Sequence, residues 1–307
     1  MSGKNNTNEV HARKKIKMLN IAPYLFTLPF VLHFIIFFAY PIISTFWTSL
    51  CQQKGFAPPS FAGFANYKLL FDDYFKMACA NSAIYTFFTC LILIPLPLLL
   101  ATLVNSGLVA KADFLKSAMF VPALTSVVMA GLFFKYAFSS NPTAIMNAFI
   151  GFWGIAPQGW LEKRLTSWIV LVIFCCWKWM GVNMVYYLSA LQMVPPELYE
   201  AAELDGANAW QRFIHITVPG VRPTIIYVLT ISIYGGFSMF AEAFTLFNSA
   251  RTPGDIGATI VSYIYAQGFN RNNFGLASAA GISLLAAVMI INVIQLRLTG
   301  SLGKEQE

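Results

Sequence analysis

The sequence predicts an all-α membrane protein with about six transmembrane helices, and composition is the first observation behind that prediction. Of the 307 residues, 57% are hydrophobic and 11% are charged, and the mean hydropathy is +0.63. Soluble domains carry roughly 25% charged residues, so this chain has too few charges to cover a solvated surface. The composition therefore excludes an ordinary soluble enzyme or secreted domain, and the abundant aromatic residues exclude a disordered chain.

Six apolar stretches are the second observation, because about 20 residues of helix cross the hydrocarbon core of a bilayer. The predicted spans are 19–50, 79–105, 114–138, 167–191, 224–247 and 274–298. The first is too long for the apolar core of a signal peptide, so we expect an uncleaved anchor. Kinks are expected at Pro29 and Pro41 in this span and at Pro95 and Pro97 in the second. Mixed apolar and charged residues at 66–77 predict a short helix at the membrane interface.

The placement of Lys and Arg residues predicts the orientation. Cytoplasmic segments of membrane proteins carry an excess of these residues, and a dense basic cluster at 13–17 precedes the first span. Six spans then place both ends of the chain in the cytoplasm. The predicted organisation is a cytoplasmic segment at 1–18, a transmembrane domain at 19–298 and a cytoplasmic tail at 299–307.

Motifs for catalysis, metal binding and nucleotide binding are missing from the sequence. It contains no G-x-x-x-x-G-K-[ST] phosphate loop, no G-x-S-x-G elbow and no H-E-x-x-H helix, and its three His residues are far apart. The five Cys residues form no C-x-x-C pair, and their spacing does not predict whether a disulfide forms. The net charge of +7 does not indicate nucleic acid, because basic residues in so apolar a chain are expected to flank its spans. If the protein moves a solute uphill, we expect the nucleotide chemistry to come from another subunit.

The connection between the fourth and fifth spans, residues 193–221, contains two helix signatures. Glutamates that follow Pro196 suit the start of a helix, where the helix dipole favours carboxylates, and Gly206 suits its end. Asn208 with Gln211 three residues later predicts a capping box that begins a second helix. This helix–turn–helix is either a surface hairpin that merely joins two spans or a docking element.

The run EAAELDGANAWQRFIHITVP favours docking, because it resembles the signature of the permease subunits of ABC importers. The matching residues are Glu200, Ala201, Ala202, Gly206, Ile216 and Pro219, with Asp205 directly before the glycine. Val218 stands where the signature commonly has Leu. The sequence around the first span, APYLFTLPFVLHFIIFFAYPIISTFWTSL, and around the second, third and last spans also resembles the carbohydrate (maltose-type) permeases. One departure is TLFNSARTPGD after Phe244, where family members often have a Gly-Gly-Pro turn.

The resemblance implies the type I ABC importer permease fold in the cytoplasmic (inner) membrane of a prokaryote. It implies a second permease subunit, an ATPase dimer that uses ATP and Mg, and an extracytoplasmic solute-binding protein that delivers the sugar. The chain itself would be a transport subunit without an ATPase site, and it would bind no cofactor. Glu200 would contact the ATPase, Gly206 would allow the tight turn, and the end at Ile216–Pro219 would position the fifth span.

Polar residues within the predicted spans are candidates for the translocation pathway, since intramembrane charges are costly and usually face a cavity or another charge. At 1.5 Å per residue, Lys178 lies about 15 Å and Glu242 about 8 Å from the outer ends of their spans. They could form a structural ion pair, contact the second permease, or contact the sugar. The other candidates are Asn81, Asn183, Tyr234, Gly235 and Gly236.

The sequence favours a permease subunit for a sugar or oligosaccharide, with two alternatives. The positive charge of Lys178 would also suit an importer of glycerol phosphate or another small polar solute. A membrane-bound enzyme is a different class of protein, and copurification separates it from a permease. Only an importer subunit should bring an ATPase and a second permease with it.

Overall fold

The structure, a computed structural model, describes residues 23–107, 109–247, 255 and 257–300. The basic cluster at 13–17, most of the stretch TLFNSARTPGD and residues 301–307 lie outside the described residues. Within the described ranges the regular structure is helical except for one antiparallel hairpin, β1 (Cys51–Gln52) and β2 (Ser60–Phe61). The predicted all-α class is confirmed.

The helices are numbered α1 to α14 in chain order. They are α1 (Pro23–Ser49), α2 (Ala65–Leu69), α3 (Asp73–Leu93), α4 (Pro95–Asn105), α5 (Ala112–Leu124), α6 (Val127–Ala137), α7 (Ile145–Gly151), α8 (Arg164–Leu191), α9 (Pro196–Leu204), α10 (Ala209–Gly220), α11 (Arg222–Phe237), α12 (Ala241–Phe247), α13 (Ile260–Tyr265) and α14 (Phe274–Leu298). By length and composition α1, α3 with α4, α8 and α14 could each cross a membrane. The bent pairs α5–α6 and α10–α11 raise the number to as many as six.

The predicted third span, 114–138, is not one straight helix, because α5 and α6 meet at 100°. Thr125 and Ser126 have non-helical backbone between them. Both the N–H and the hydroxyl of Thr125 donate to the carbonyl oxygen of Pro122. Such local hydrogen bonds compete with the next helical turn, so a stretch that is apolar throughout still bends sharply.

The predicted fifth span, 224–247, is also wrong as a single helix. α11 ends at Phe237, α12 begins at Ala241, and the N–H of Ser238 donates to the carbonyl oxygen of Tyr234 at the break. Hydropathy reports composition and not helical continuity, so it does not reveal this break. At the start of α11 the chain makes a second bend, of 72°, against α10.

Of the four prolines expected to kink the first two spans, Pro41 and Pro95 lie close to local changes in helix geometry, whereas Pro29 and Pro97 lie in regular α-helix. In α1 a π-helical turn, Ile35–Ala39, ends two residues before Pro41. α3 and α4 are separated at Ile94, directly before Pro95. Pro97 has no N–H to donate to the carbonyl oxygen of the residue four positions earlier, and a side chain from α8 takes over that role, as described below.

α8 is the central helix, since half of its apolar window is buried and it contacts α3, α4, α5 and α11. A Cβ at Gly181 would overlap with the carbonyl of Met119, so the glycine allows the backbones of α8 and α5 to touch. By contrast, none of the apolar window of α1 is buried, and the second half of α1 packs on α14. All five cysteines lie among the described residues and are free thiols.

Candidate coupling loop and translocation site

The loop with the importer signature folds as two helices joined by a tight turn. α9 ends in a Schellman cap: the N–H of Ala207 donates to the carbonyl of Ala202 over 2.9 Å, and the N–H of Gly206 donates to that of Glu203 over 3.0 Å. Gly206 has φ +80°, a conformation that side chains disfavour. The helix end predicted at Gly206 is therefore confirmed, and the turn requires the glycine.

The second helix of the loop is fixed to the first. The capping box predicted for Asn208 and Gln211 is confirmed, since the side chain of each residue accepts a hydrogen bond from the backbone N–H of the other, over 2.9 and 2.8 Å. Arg212 on α10 forms an ion pair with Glu203 on α9 at 2.9 Å. Caps at both sides of the turn and an ion pair across it make the hairpin a rigid unit.

Some of the signature residues line a cleft between the two helices of this hairpin. A cleft of about 350 Å³ is lined by Ala202, Asp205, Gly206 and Ile216, together with other residues of the two helices. Glu200, Ala201 and Pro219 do not line the cleft and are exposed. Glu200 is thus available to a partner, although no contact of its carboxylate fixes its role.

Apolar side chains on the loop are exposed where no membrane span covers them. Leu204 is 89% exposed and Trp210 is 63% exposed, and the ring of Trp210 stacks on Phe213 at 5.5 Å between ring centres. Exposed apolar patches on a protein surface commonly mark interaction sites. The hairpin therefore presents exposed apolar surface on both of its helices.

The hairpin is also tied to the spans that follow it. Tyr199 and Thr217 are hydrogen-bonded through their hydroxyl groups over 3.0 Å. Val221, between α10 and α11, is 1% exposed, and Arg222 donates to the carbonyl oxygen of Thr299 at the end of α14 over 2.8 Å. Displacement of the hairpin would therefore act directly on α11 and α14. The sequence analysis missed Arg222 as a link, because the pairing is 77 residues distant along the chain.

Lys178 is buried in the middle of α8 and is engaged by the backbone. Its Nζ atom donates to the carbonyl oxygen of Thr125 over 2.7 Å and approaches that of Ala123 at 3.5 Å. These carbonyls lie at the carboxyl end of α5, where the bend removes their helical partners. A cation is favourable at this end of a helix, so Lys178 stabilises the bend between α5 and α6.

Glu242 lies in the first turn of α12, where the helix dipole favours a carboxylate. Among the described residues the ion pairs are Lys76–Asp73, Lys116–Asp113 and Arg212–Glu203, so the structural ion pair considered for Lys178 and Glu242 is not formed.

The side chains of the two asparagines among the pathway candidates donate hydrogen bonds to backbone carbonyl groups of other segments. Asn81 is 1% exposed, and its Nδ2 atom donates to the carbonyl oxygens of Asp255 and Ala258 over 2.7 and 3.1 Å. Asn183 is 3% exposed and donates to the carbonyl oxygen of Leu93 over 3.0 Å. This carbonyl is the one that Pro97 leaves without a helical donor.

The remaining pathway candidates differ in how exposed they are. Tyr234 is 64% exposed, and a Cβ at Gly235 would meet open space. A Cβ at Gly236 would instead overlap with Thr86 of α3. Of this group, Tyr234 and Gly235 face an open surface, whereas Gly236 serves the close packing of α11 on α3.

Known proteins resemble this chain over most of its length. A family model described as "Binding-protein-dependent transport system inner membrane component" matches residues 18–302. The arabinooligosaccharides transport system permease protein AraP of Bacillus subtilis (strain 168) is 46% identical over 284 residues, which cover 92% of this chain and 90% of that protein. The lactose transport system permease protein LacF of Rhizobium radiobacter is 28% identical over 278 residues, which cover 89% of this chain and 92% of that protein.

A solved structure has a similar fold. A chain of a bacterial ABC transporter involved in the import of the acidic polysaccharide alginate matches with a TM-score of 0.82 at 25% identity, and the match covers 95% of this chain and 100% of that chain. The fold is thus that of a type I ABC importer permease. Because the family model spans nearly the whole sequence, the chain belongs to the family of binding-protein-dependent transport system inner membrane components.

Proposed function

We propose that the chain is a permease subunit of an ATP-driven importer and forms half of the translocation pathway for a sugar or oligosaccharide. The observation that carries this proposal is the rigid α9–α10 hairpin, which exposes Leu204 and Trp210 and is anchored to α11 and α14. The printed functions of the relatives, arabinooligosaccharide and lactose transport, support a carbohydrate cargo.

The proposed assembly contains a second permease subunit, an ATPase dimer and an extracytoplasmic solute-binding protein, in the cytoplasmic (inner) membrane of a prokaryote. ATP and Mg would be used by the ATPase subunits, and this chain would have no ATPase site and bind no cofactor. Both termini would lie in the cytoplasm, on the side of the α9–α10 hairpin. Glu200 would contact the ATPase, and the cleft of the hairpin would receive a side chain from it.

Chain connections and packing contacts link this hairpin to the bend in the middle of the third span. The hairpin continues into α11, which is followed by α12. α12 packs on α6, and a Cβ at Gly131 of α6 would overlap with Thr245 of α12. α6 begins at the bend that Lys178 stabilises. Movement imposed by the ATPase would therefore pass through α11 and α12 to α6.

An importer of glycerol phosphate or another small anion is less well supported. The charge of Lys178 is the argument for it, but the residue is 6% exposed and its ammonium group already donates to the carbonyl oxygen of Thr125. A membrane-bound enzyme has no positive support from the sequence.

Copurification and uptake test the proposal. The tagged chain, isolated from its native host in mild detergent, should bring an ATPase and a second permease, identified by mass spectrometry. Deletion of the gene should abolish uptake of labelled arabinooligosaccharides, and the intact gene should restore it. A chain that purifies alone, or uptake of every tested saccharide at the wild-type rate after deletion, would contradict the proposed function.

A further inference from the structure

A cavity of about 500 Å³ lies between α2, the start of α3 and α14. We call it the α3–α14 groove. Its lining residues are Tyr67, Leu70, Phe71, Phe75, Lys76, Cys79 and Ser283. The volume falls within the range of small-molecule sites, roughly 300–1,000 Å³. None of these residues belongs to the coupling loop or to the surroundings of Lys178, so the groove is a separate feature of the molecule.

With the starts of α3 and α14 at the membrane surface, the groove extends over the depth of one leaflet. Its polar end is marked by Lys76, which pairs with the exposed Asp73 at the start of α3 over 3.2 Å. Cys79 is six residues into α3 and Ser283 nine residues into α14, which places them about 9 and 14 Å along their helices at 1.5 Å per residue. One leaflet contributes about 15 Å of a 30 Å hydrocarbon core. The groove therefore follows the region that lipid acyl chains occupy.

The lining of the groove is mostly apolar, and its polar groups already have partners within the chain. The hydroxyl of Tyr67 is hydrogen-bonded to that of Ser49 over 2.8 Å, and the hydroxyl of Ser283 donates to the carbonyl oxygen of Ala279 over 2.8 Å. The lysine at the polar end is paired as described above. A sugar in this groove would find few groups to replace its hydrogen bonds to water, whereas an alkyl chain needs none. Aliphatic and aromatic side chains and the thiol of Cys79 form the rest of the walls.

We propose that the α3–α14 groove binds an acyl chain of a membrane phospholipid, whose headgroup lies level with Asp73 and Lys76. Phe87 and Phe88 lie farther along α3, outside the groove, and are 62% and 47% exposed. The bound chain forms part of the wall between the second and last spans. It differs from bulk lipid because α3 and α14 both contact it, so it exchanges more slowly.

A photoactivatable phosphatidylcholine tests the proposal, with a diazirine in the middle of its acyl chain. The purified complex is reconstituted with this lipid, returned to detergent, irradiated, and mapped by mass spectrometry. Labelling at Phe75 and Cys79 should survive the return to detergent, whereas labelling at Phe87 and Phe88 should be lost. Equal loss at both places would show that the groove holds only bulk lipid and would overturn the proposal.

Two tryptophan variants give matched controls. Ser283→Trp fills the groove and should lower the retained labelling at Cys79 severalfold. Leu285→Trp places the same side chain on the exposed side of the same helix and should leave the labelling unchanged. Equal effects of the two variants would contradict a site at the groove.

Native Cys79 provides a measurement without any mutation, so the test does not depend on the folding of a variant. It is half-buried, whereas the other four cysteines are buried. The delipidated wild-type complex should react with N-ethylmaleimide at Cys79, and added long-chain phosphatidylcholine should slow that reaction severalfold. An unchanged rate would also overturn the proposal.

Discussion

Lys178 of α8 donates a hydrogen bond over 2.7 Å to the carbonyl oxygen of Thr125, at the point where the third span turns through 100°. This contact holds α8 against the bend of the third span. The bend begins α6, α6 packs on α12, and α12 carries Glu242. A charge that would be costly in lipid is thus placed where a helix end offers it carbonyl oxygens.

We expect Lys178→Met to destabilise the protein by about 1.5–3 kcal/mol, the range for a hydrogen bond that involves a charged group. The loss would appear as a lower melting temperature of the purified complex and a lower yield. Lys116→Met is the matched control, because Lys116 forms only an exposed ion pair with Asp113. Since Lys178 and Glu242 are not directly paired, Glu242→Gln should not rescue the variant. Normal yield and melting with altered saccharide selectivity would instead assign Lys178 to the cargo.

The helical class, the placement of most spans and the loop hairpin could be predicted from the sequence, because each depends on local information. Apolar runs give the spans, and the capping signals of Gly206, Asn208 and Gln211 are contained within six residues. The bend at Thr125 and the break at Ser238 could not be predicted in this way, since apolar composition is the same on both sides. The signal that could have indicated the bend is a proline followed by hydroxyl residues, in VPALTS.

The pathway residues were harder to interpret for a related reason. Intramembrane polar residues can serve the pathway or the fold, and the choice depends on contacts that are distant in sequence. The partner of Asn183 is 90 residues away and that of Asn81 is more than 170 residues away. Sequence spacing carries no information about either contact.

We expect Gly206→Val to uncouple transport while the spans still insert. The residue has φ +80°, and a left-handed conformation costs a residue with a side chain roughly 1–2 kcal/mol. The Schellman cap would open and the α9–α10 hairpin would lose its fixed shape. Uptake and substrate-stimulated ATPase activity of the reconstituted complex measure the effect. Gly151→Ala is the control, because that glycine has open space around it and no positive φ. Full transport by Gly206→Val would remove the hairpin from the mechanism.

The proposed orientation places β2 outside and the α9–α10 hairpin inside. In a cysteine-free background, Ser60→Cys should react with an impermeant maleimide on intact cells, because Ser60 is exposed in β2. Ala207→Cys, in the turn of the hairpin, should react only after the membrane is permeabilised. Labelling of Ala207→Cys on intact cells would reverse the assigned orientation.

The contact between Asn183 and Leu93 allows a test by rescue. Asn183→Leu removes the only side-chain donor recorded for the carbonyl oxygen of Leu93 among the described residues. A buried polar group without a partner costs roughly 1–3 kcal/mol, so the melting temperature should fall. Pro97→Ala supplies the backbone N–H that a helix would donate to this carbonyl.

The double variant Asn183→Leu/Pro97→Ala should therefore recover part of the lost stability. Pro95→Ala in the Asn183→Leu background is the matched control, since its N–H would point to the carbonyl of Leu91 instead. Thermal unfolding of the three purified variants and the wild type in the same detergent gives the comparison. Equal recovery with Pro95→Ala would mean that removal of a proline helps for a general reason. If neither proline variant restores stability, Asn183 acts through a contact other than its hydrogen bond to Leu93.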